Sequence, residues 1–340
     1  MSRLGLIGVT GAVGEEAILL LNERDVHFSE LRLFASKRSA GKKYLVNGVE
    51  YVVEEYKDPS QLRRLNYVIL MTPSETSKNI VEQSKTNNCV FIDNSSYFRT
   101  SKYVPLIIPE INIDECQTSK VISNPNCSTI ILLMALYPMY HYNTIRRITV
   151  STYQAVSGAG KEAMRELKEQ AIHYPLAKKP TVFKSQCLMN VFSHDSPVNM
   201  ITGDNGEEEK MKHEIRKILK EDGIKIFVSC FRCGTIRSHL ENVTIDFEDP
   251  VDVDYVRELM KKAKGVTVLD DREGNNFPEP LVTAEKDDVY VGRFRSPDKC
   301  VLQFTVSGDQ LRKGAALNAI QIYESLIGAS PLKIMENYLK

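Results

Sequence analysis

The 340-residue chain has no excess of either charge: 44 Lys and Arg stand against 44 Asp and Glu. Without a net field nothing draws the whole molecule to a polyanion or an anionic bilayer, which sets nucleic acid and membrane aside as partners. Long apolar runs are missing too. The most apolar stretch, Ile130 to Tyr137, is followed by Pro138 and falls far short of the ~20 residues a spanning helix needs. The N-terminal run Leu4 to Val9 ends at Thr10 and Gly11 with no small-residue cleavage pattern, so it does not read as a signal peptide. Cysteine is sparse and unpatterned, an odd seven at positions 89, 116, 127, 187, 230, 233 and 300. That argues against a disulfide framework and for a reduced, cytoplasmic setting. Cys230 and Cys233 form a CxxC, but inside a strand-like run and with no second pair, so no metal site is expected. No internal repeat or low-complexity tract is visible.

What is present is an ordinary soluble globular composition, 42% hydrophobic and 26% charged, in a chain long enough for two domains of ~150 residues. Over the first third, short apolar runs (Arg3 to Gly8, Leu31 to Ala35, Tyr67 to Met71, Cys89 to Ile92, Val121 to Ser123) alternate with helical stretches at Glu15 to Arg24 and Glu75 to Lys85. This is the rhythm of a parallel α/β sheet. An apolar helix is predicted over Thr129 to Tyr137. From Arg147 the runs lengthen (Ile148 to Gln154, Ile224 to Cys233, Glu241 to Phe247, Cys300 to Val306), with charged helices at Lys161 to His173, Glu207 to Lys220 and Val251 to Lys264. That texture predicts an α+β second domain on a mixed or antiparallel sheet. A last helix, Leu311 to Ile327, is expected to return to the first domain.

Between the first strand and first helix lies Gly8-Val9-Thr10-Gly11-Ala12-Val13-Gly14. Glycines there permit a tight turn and close approach of a pyrophosphate to the helix N–H groups, which predicts a dinucleotide site. The acidic residue that binds ribose hydroxyls at the end of the second strand is absent. Ser36, Lys37, Arg38 and Ser39 stand there instead, two cations and two hydroxyls suited to a 2′-phosphate, so NADP(H) is favoured over NAD. A Lys-Arg pair taken alone would be a solvated loop.

Cys127 follows Asn124-Pro125-Asn126 at the predicted start of a helix, where free N–H groups and the dipole favour a thiolate. An arbitrary free cysteine is more often a small core residue, and the other six are read so. Arg232 and His239 are seven apart, on opposite faces of an uninterrupted strand, but a bend or bulge at Gly234 would bring a guanidinium and an imidazole to one site. Taken singly they read as a surface arginine and a structural histidine. Glu207 and Lys210, at i and i+3, read by spacing as a solvated helix face. Arg99 ends the hydroxyl-rich run Asp93-Asn94-Ser95-Ser96 and is a candidate phosphate ligand.

Taken together, these stretches resemble the aspartate-semialdehyde dehydrogenase family in order along nearly the whole chain. The matching strings are GAVG from Gly11, Ser39-Ala40-Gly41, IDNSSYFR from Ile92, Pro109-Glu110-Ile111-Asn112 and SNPNCST around Cys127. They continue with YQAVSGAG from Tyr153, the charged helix from Glu207, the Cys230 to His239 segment, VGRFR from Val291 and LRKGAALNA from Leu311. The resemblance implies NADPH-dependent reduction of L-aspartyl-4-phosphate to L-aspartate-4-semialdehyde with release of phosphate, in the biosynthesis of lysine and diaminopimelate, threonine and methionine. It makes Cys127 the nucleophile, His239 the acid/base and Gln154 the group that orients substrate. It assigns Arg232 to the substrate carboxylate, Glu207 to its amine, Arg99 and Lys210 to phosphate, and Ser157, Gly158 and Asn318 to the nicotinamide. Thr72 falls in the cofactor loop after the strand ending near Met71.

The implied architecture is α/β, with an N-terminal Rossmann-type NADP-binding domain (1–126 with 313–340) and an α+β catalytic and dimerisation domain (127–312), assembled as a homodimer or homotetramer. Three places depart from the family pattern. Thr72-Pro73-Ser74 replaces Ser-Ala-Gly and removes a backbone N–H from the cofactor loop; Gly234 replaces a proline, and Leu240 a serine. Competing readings are N-acetyl-γ-glutamyl-phosphate reductase, a non-catalytic paralogue of the same fold, and a redox-sensing thiol protein.

Overall fold

The computed structural model describes residues 2–116, 119–174 and 179–328; the part of the expected 313–340 segment from 329 onward lies outside them. The chain divides into two compact units, one running to Pro125 and resuming at Ala315, the other spanning Asn126–Gly314. Among the described residues no helix is long and apolar enough to cross a membrane.

The first unit is built on a seven-stranded sheet of order β3-β4-β2-β1-β5-β6-β7. The strands are β1 Arg3–Ile7, β2 Glu30–Ala35, β3 Lys43–Val46, β4 Val49–Glu55, β5 Tyr67–Leu70, β6 Val90–Asp93 and β7 Val121–Ser123. All pairings are parallel except β3 with β4. Helices α1 Ala12–Glu23, α2 Ser74–Gln83 and the short α3 Pro109–Asn112 lie between strands. The near-continuous burial of β1, β5 and β6 explains why they read as apolar runs without alternation. The β3–β4 hairpin escaped the sequence reading because aliphatic Leu45, Val49 and Val52 are exposed beside charged Lys43 and Glu50, so polarity does not alternate cleanly. β1 pairs with β2 on one side and β5 on the other, so its C-terminal end is the point where strand order reverses. In open α/β sheets that is where a ligand binds.

The second unit carries a mixed sheet of order β12-β13-β14-β11-β8-β10-β9. Its strands are β8 Ile145–Gln154, β9 Val191–Ser193, β10 Lys225–Cys233, β11 His239–Phe247, β12 Val266–Val268, β13 Val289–Asp298 and β14 Val301–Gly308. Its helices are α4 Cys127–Tyr140, α5 Lys161–Ile172, α6 Gly206–Leu219, α7 Val253–Lys262 and α8 Pro280–Thr283. α4 begins at Cys127, two residues before its expected start, because Asn126 caps it, and it runs through Pro138. The final helix also differs from expectation. Arg312–Ala316 form a π turn, and the α-helix proper, α9 Leu317–Gly328, starts only at Leu317. Leu317, Ala319, Ile320, Ile322 and Tyr323 join the first unit's core beside Leu4, Leu6, Leu20 and Leu33.

Candidate active site at the end of the mixed sheet

The central strand of the second unit, β8, ends in Gln154. β10 runs parallel to it on one side with Arg232 opposite Gln154, and β11 runs antiparallel on the other with Leu240 opposite Tyr153. His239 therefore lies beside Gln154, and one row across the sheet reads His239, Gln154, Arg232. This corrects the expected bend at Gly234. Arg232 and His239 belong to two strands flanking β8, joined by a loop over Gly234 to Ser238 that includes a left-handed Ser238 (φ 69°). A Cβ on Gly234 would lie 2.5 Å from the Cys187 carbonyl oxygen, which explains glycine there.

Cys127 is the first residue of α4. The Asn126 side chain accepts from the Ser128 and Thr129 N–H groups at 3.0 and 3.3 Å, and its amide donates to Glu207 at 2.7 Å. The Asn126 backbone N–H donates to Glu214 at 2.6 Å. Cys127 Sγ is 3.3 Å from His239 Nε2. The Ala155 N–H donates to His239 Nδ1 at 3.0 Å, so the neutral ring carries its proton on Nε2, facing the sulfur. Burial, aided by the Arg232 guanidinium, pushes the His239 imidazole down to about 3 and keeps it neutral. A Cβ on Gly314 would stand 2.9 Å from that of Cys127, so the π turn approaches the nucleophile only because residue 314 is glycine.

Glu207 is buried, which corrects the solvated-face reading. It stands four residues before buried Met211 and seven before buried Glu214, on the inward side of α6. Burial would raise its carboxyl, but Lys210 at 3.3 Å and the amides of Asn126 and Gln154 outweigh that and hold it at about 2. Gln154 reaches both Ser128 and Glu207. Lys210 is partly exposed. Arg232 is buried, donating to the Ala155 carbonyl at 2.9 Å and contacting His194 and Asp195. Ser157 is buried and accepts from the Gln310 amide, while Gly158 is exposed beside Arg232 and His239. Burial pushes the Cys89 thiol up to about 11 and Cys187 to about 12, and raises Cys230 as well.

In the first unit, Gly8 (φ 94°) ends β1, and Gly11 is the N-cap of α1 with no side chain capping the helix. A Cβ on Gly14 would fall 2.3 Å from the Gly8 carbonyl oxygen. Gly8 and Gly14 thus admit no side chain, and in the turn from Gly8 through Thr10, Gly11, Ala12 and Val13 to Gly14 the first N–H groups of the helix have no side-chain cap, which fits a pyrophosphate. Thr10 donates to Ser39 at 3.2 Å; Ser36, Lys37 and Arg38 are exposed at the end of β2. Thr72 bonds Ser77 at 2.8 Å. Arg99 is buried and donates to the Asn94 carbonyl at 2.8 Å. Asn318 is buried with its amide on the Ile107 carbonyl and Asn124. Among the described residues, no cluster of His, Cys, Asp and Glu could hold a metal ion.

Family models match both units: the semialdehyde dehydrogenase NAD binding domain over residues 3–119 and the semialdehyde dehydrogenase dimerisation domain over 136–313. The chain is 39% identical over 334 residues to an aspartate-semialdehyde dehydrogenase of Synechocystis, covering 96% of this chain and 97% of that one. The chain belongs to the aspartate-semialdehyde dehydrogenase family. An Aquifex aeolicus member is 37% identical, over 96% of this chain and 98% of its own. The crystal structure of aspartate semialdehyde dehydrogenase II from Vibrio cholerae superposes with a TM-score of 0.90 at 34% identity, covering 97% and 99% of the two chains; another structure of it is complexed with ASA.

In this member of the family, sequence reasoning passed over Asn126, Glu214, His194, Asp195 and Gly314. Two of these had a readable signal. Asn immediately before a helix is a favoured N-cap, and Glu214 follows Glu207 by two helical turns.

Proposed function

We propose that this chain reduces L-aspartyl-4-phosphate to L-aspartate-4-semialdehyde with NADPH, releasing phosphate. The observation that carries this reading is Cys127 at a capped helix start, 3.3 Å from a neutral His239 that shares a row of the sheet with Gln154 and Arg232, while an ionised Glu207 bonds Asn126 and Gln154. Cys127 Sγ attacks the acyl carbon as the thiolate, the bond to the phosphate oxygen breaks, phosphate leaves with that bonding pair, and a thioester remains. NADPH, when bound at the Gly8–Gly14 turn with its 2′-phosphate toward Ser36, Lys37, Arg38 and Ser39, supplies the hydride. Thr72, Ser157, Gly158 and Asn318 complete the cofactor set.

Arg232 takes the substrate α-carboxylate, Arg99 and Lys210 take phosphate, and Gln154 orients the reacting carbonyl. Glu207, ionised at every working pH, receives a free ammonium and disfavours an N-acetylated substrate. His239 holds its proton at Nε2 and offers it as a hydrogen bond to the sulfur as the thiohemiacetal alkoxide left by hydride addition expels the thiolate and becomes the aldehyde. The catalytic and dimerisation domain is taken as 127–312, with 1–126 and 313–340 holding the cofactor.

The protein acts in the cytoplasm as a homodimer. Supporting the dimer, the sheet face of the second unit opposite α4 and α6 leaves Thr149, Phe227, Ser229 and Asn242 exposed and Tyr153 and Phe231 half-buried and stacked. The test is phosphate-dependent reduction of NADP⁺ by L-aspartate-4-semialdehyde, with the N-acetylglutamate semialdehyde as control. Cys127→Ser should lower turnover by about a thousandfold or more. Preference for the N-acetylated aldehyde, or turnover untouched by the substitution, would overturn the reading.

A further inference from the structure

Arg232 is held on several sides by the protein itself. Nη1 donates to the Ala155 carbonyl at 2.9 Å, Nη2 to His194 Nε2 at 2.8 Å and to Asp195 Oδ1 at 3.1 Å, and the guanidinium lies 5.2 Å from the Phe183 ring centroid. Its Nε–H is buried with no acceptor among the described residues. An arginine binds carboxylate best as a two-pronged fork, and Asp195 fills only part of that capacity.

The two neighbours differ in how firmly they are fixed. Arginine can only donate, so the His194 Nε2 facing it is unprotonated, while Nδ1 lies 3.1 Å from Ser196 Oγ and 3.2 Å from the Ser196 backbone N–H. Ser196 Oγ in turn accepts from the Glu207 N–H at 3.1 Å. His194 is thereby tied into the start of α6. Asp195 has the bond to Arg232 as its one hydrogen bond among the described residues, and its side chain is 30% exposed.

We propose that Asp195 is a placeholder for the substrate α-carboxylate: it pairs with buried Arg232 while the site is empty and turns out to water when the substrate's carboxylate takes the guanidinium. The inference rests on Arg232 as the carboxylate-binding residue of the proposed reaction. A desolvated guanidinium with no anion is costly, which gives the empty site a reason to hold one. An anion that must first leave raises the apparent substrate constant by the inverse of the fraction of time the arginine is free.

The test compares wild type with Asp195→Asn, and with Asp195→Ala should the first variant fail to fold. KM for L-aspartate-4-semialdehyde should fall about three- to fivefold, the scale of one partly exposed ion pair. KM for 3-aminopropanal, which lacks the carboxylate, should stay put. An unchanged or raised KM for the full substrate, or an equal fall for 3-aminopropanal, overturns the proposal. Protection of Cys127 from iodoacetamide by L-2-aminobutyrate gives a reading without turnover. Its half-protecting concentration should fall by the same factor, and no fall overturns the placeholder role. Absence of wild-type turnover would sink the functional reading alone, since the protection titration still decides on Asp195.

Discussion

Two buried glutamates in the second unit show how partners decide charge. Glu207 sits beside Lys210 and two amides and is held ionised at about 2. Glu241 is fully buried two residues beyond His239, with neither carboxyl oxygen hydrogen-bonded among the described residues, and burial raises it well above the usual glutamate value. A carboxyl raised on folding binds its proton more tightly in the native state, so stability falls as pH climbs from the ordinary glutamate value toward the raised one. Glu241→Gln keeps the shape of the protonated acid without that liability. Its melting temperature should exceed wild type at neutral pH, with the gap widening as pH rises through that window and vanishing below it, as read by calorimetry across pH. At this scale, Cys127 was legible from the turn before it and the helix after it. Glu207's burial was not, because its partners come from α4 and β8. Asp195 left no signal, since its contact with Arg232 spans 37 residues.

At the scale of elements, α4 depends on a cap that also ties it to α6. Asn126→Ala removes the acceptor for two N–H groups and the amide on Glu207. It should cost about 1–2 kcal/mol in denaturant unfolding and slow alkylation of Cys127 at neutral pH, because the start of the helix no longer holds the sulfur in place. In the first unit, a methyl at Gly14 would meet the Gly8 carbonyl at 2.3 Å. Gly14→Ala should therefore push α1 from β1 and weaken NADP⁺ about tenfold or more by titration calorimetry, the scale of a few kcal/mol of overpacking. Wild-type affinity in that variant would refute the close-approach argument. The Gly-rich turn and the elements around it were visible in sequence because they are local. The crossing of β10 and β11 on either side of β8 was not, since strand pairing over long separations leaves no periodicity.

For the whole molecule, the uncovered sheet face is the feature with most consequence. A second copy seated there would bury stacked Tyr153 and Phe231 and half-exposed Phe227. Phe227→Asp, which places a charge at that face, should shift the sedimenting species from dimer toward monomer and make melting depend more steeply on protein concentration. A variant that sediments as wild type would place the interface elsewhere.

The sequence by itself determined the α/β and α+β textures, the cofactor turn, the cysteine and the helix that presents it. Each of these rests on contacts within a few residues, where spacing and turn chemistry act. Tertiary structure alone decided that His239, Gln154 and Arg232 form one row, that Glu207 faces inward and stays charged, and that Asp195 meets the buried arginine. Those outcomes depend on which strands lie side by side and on which charges lose their water together, and neither is written in local periodicity.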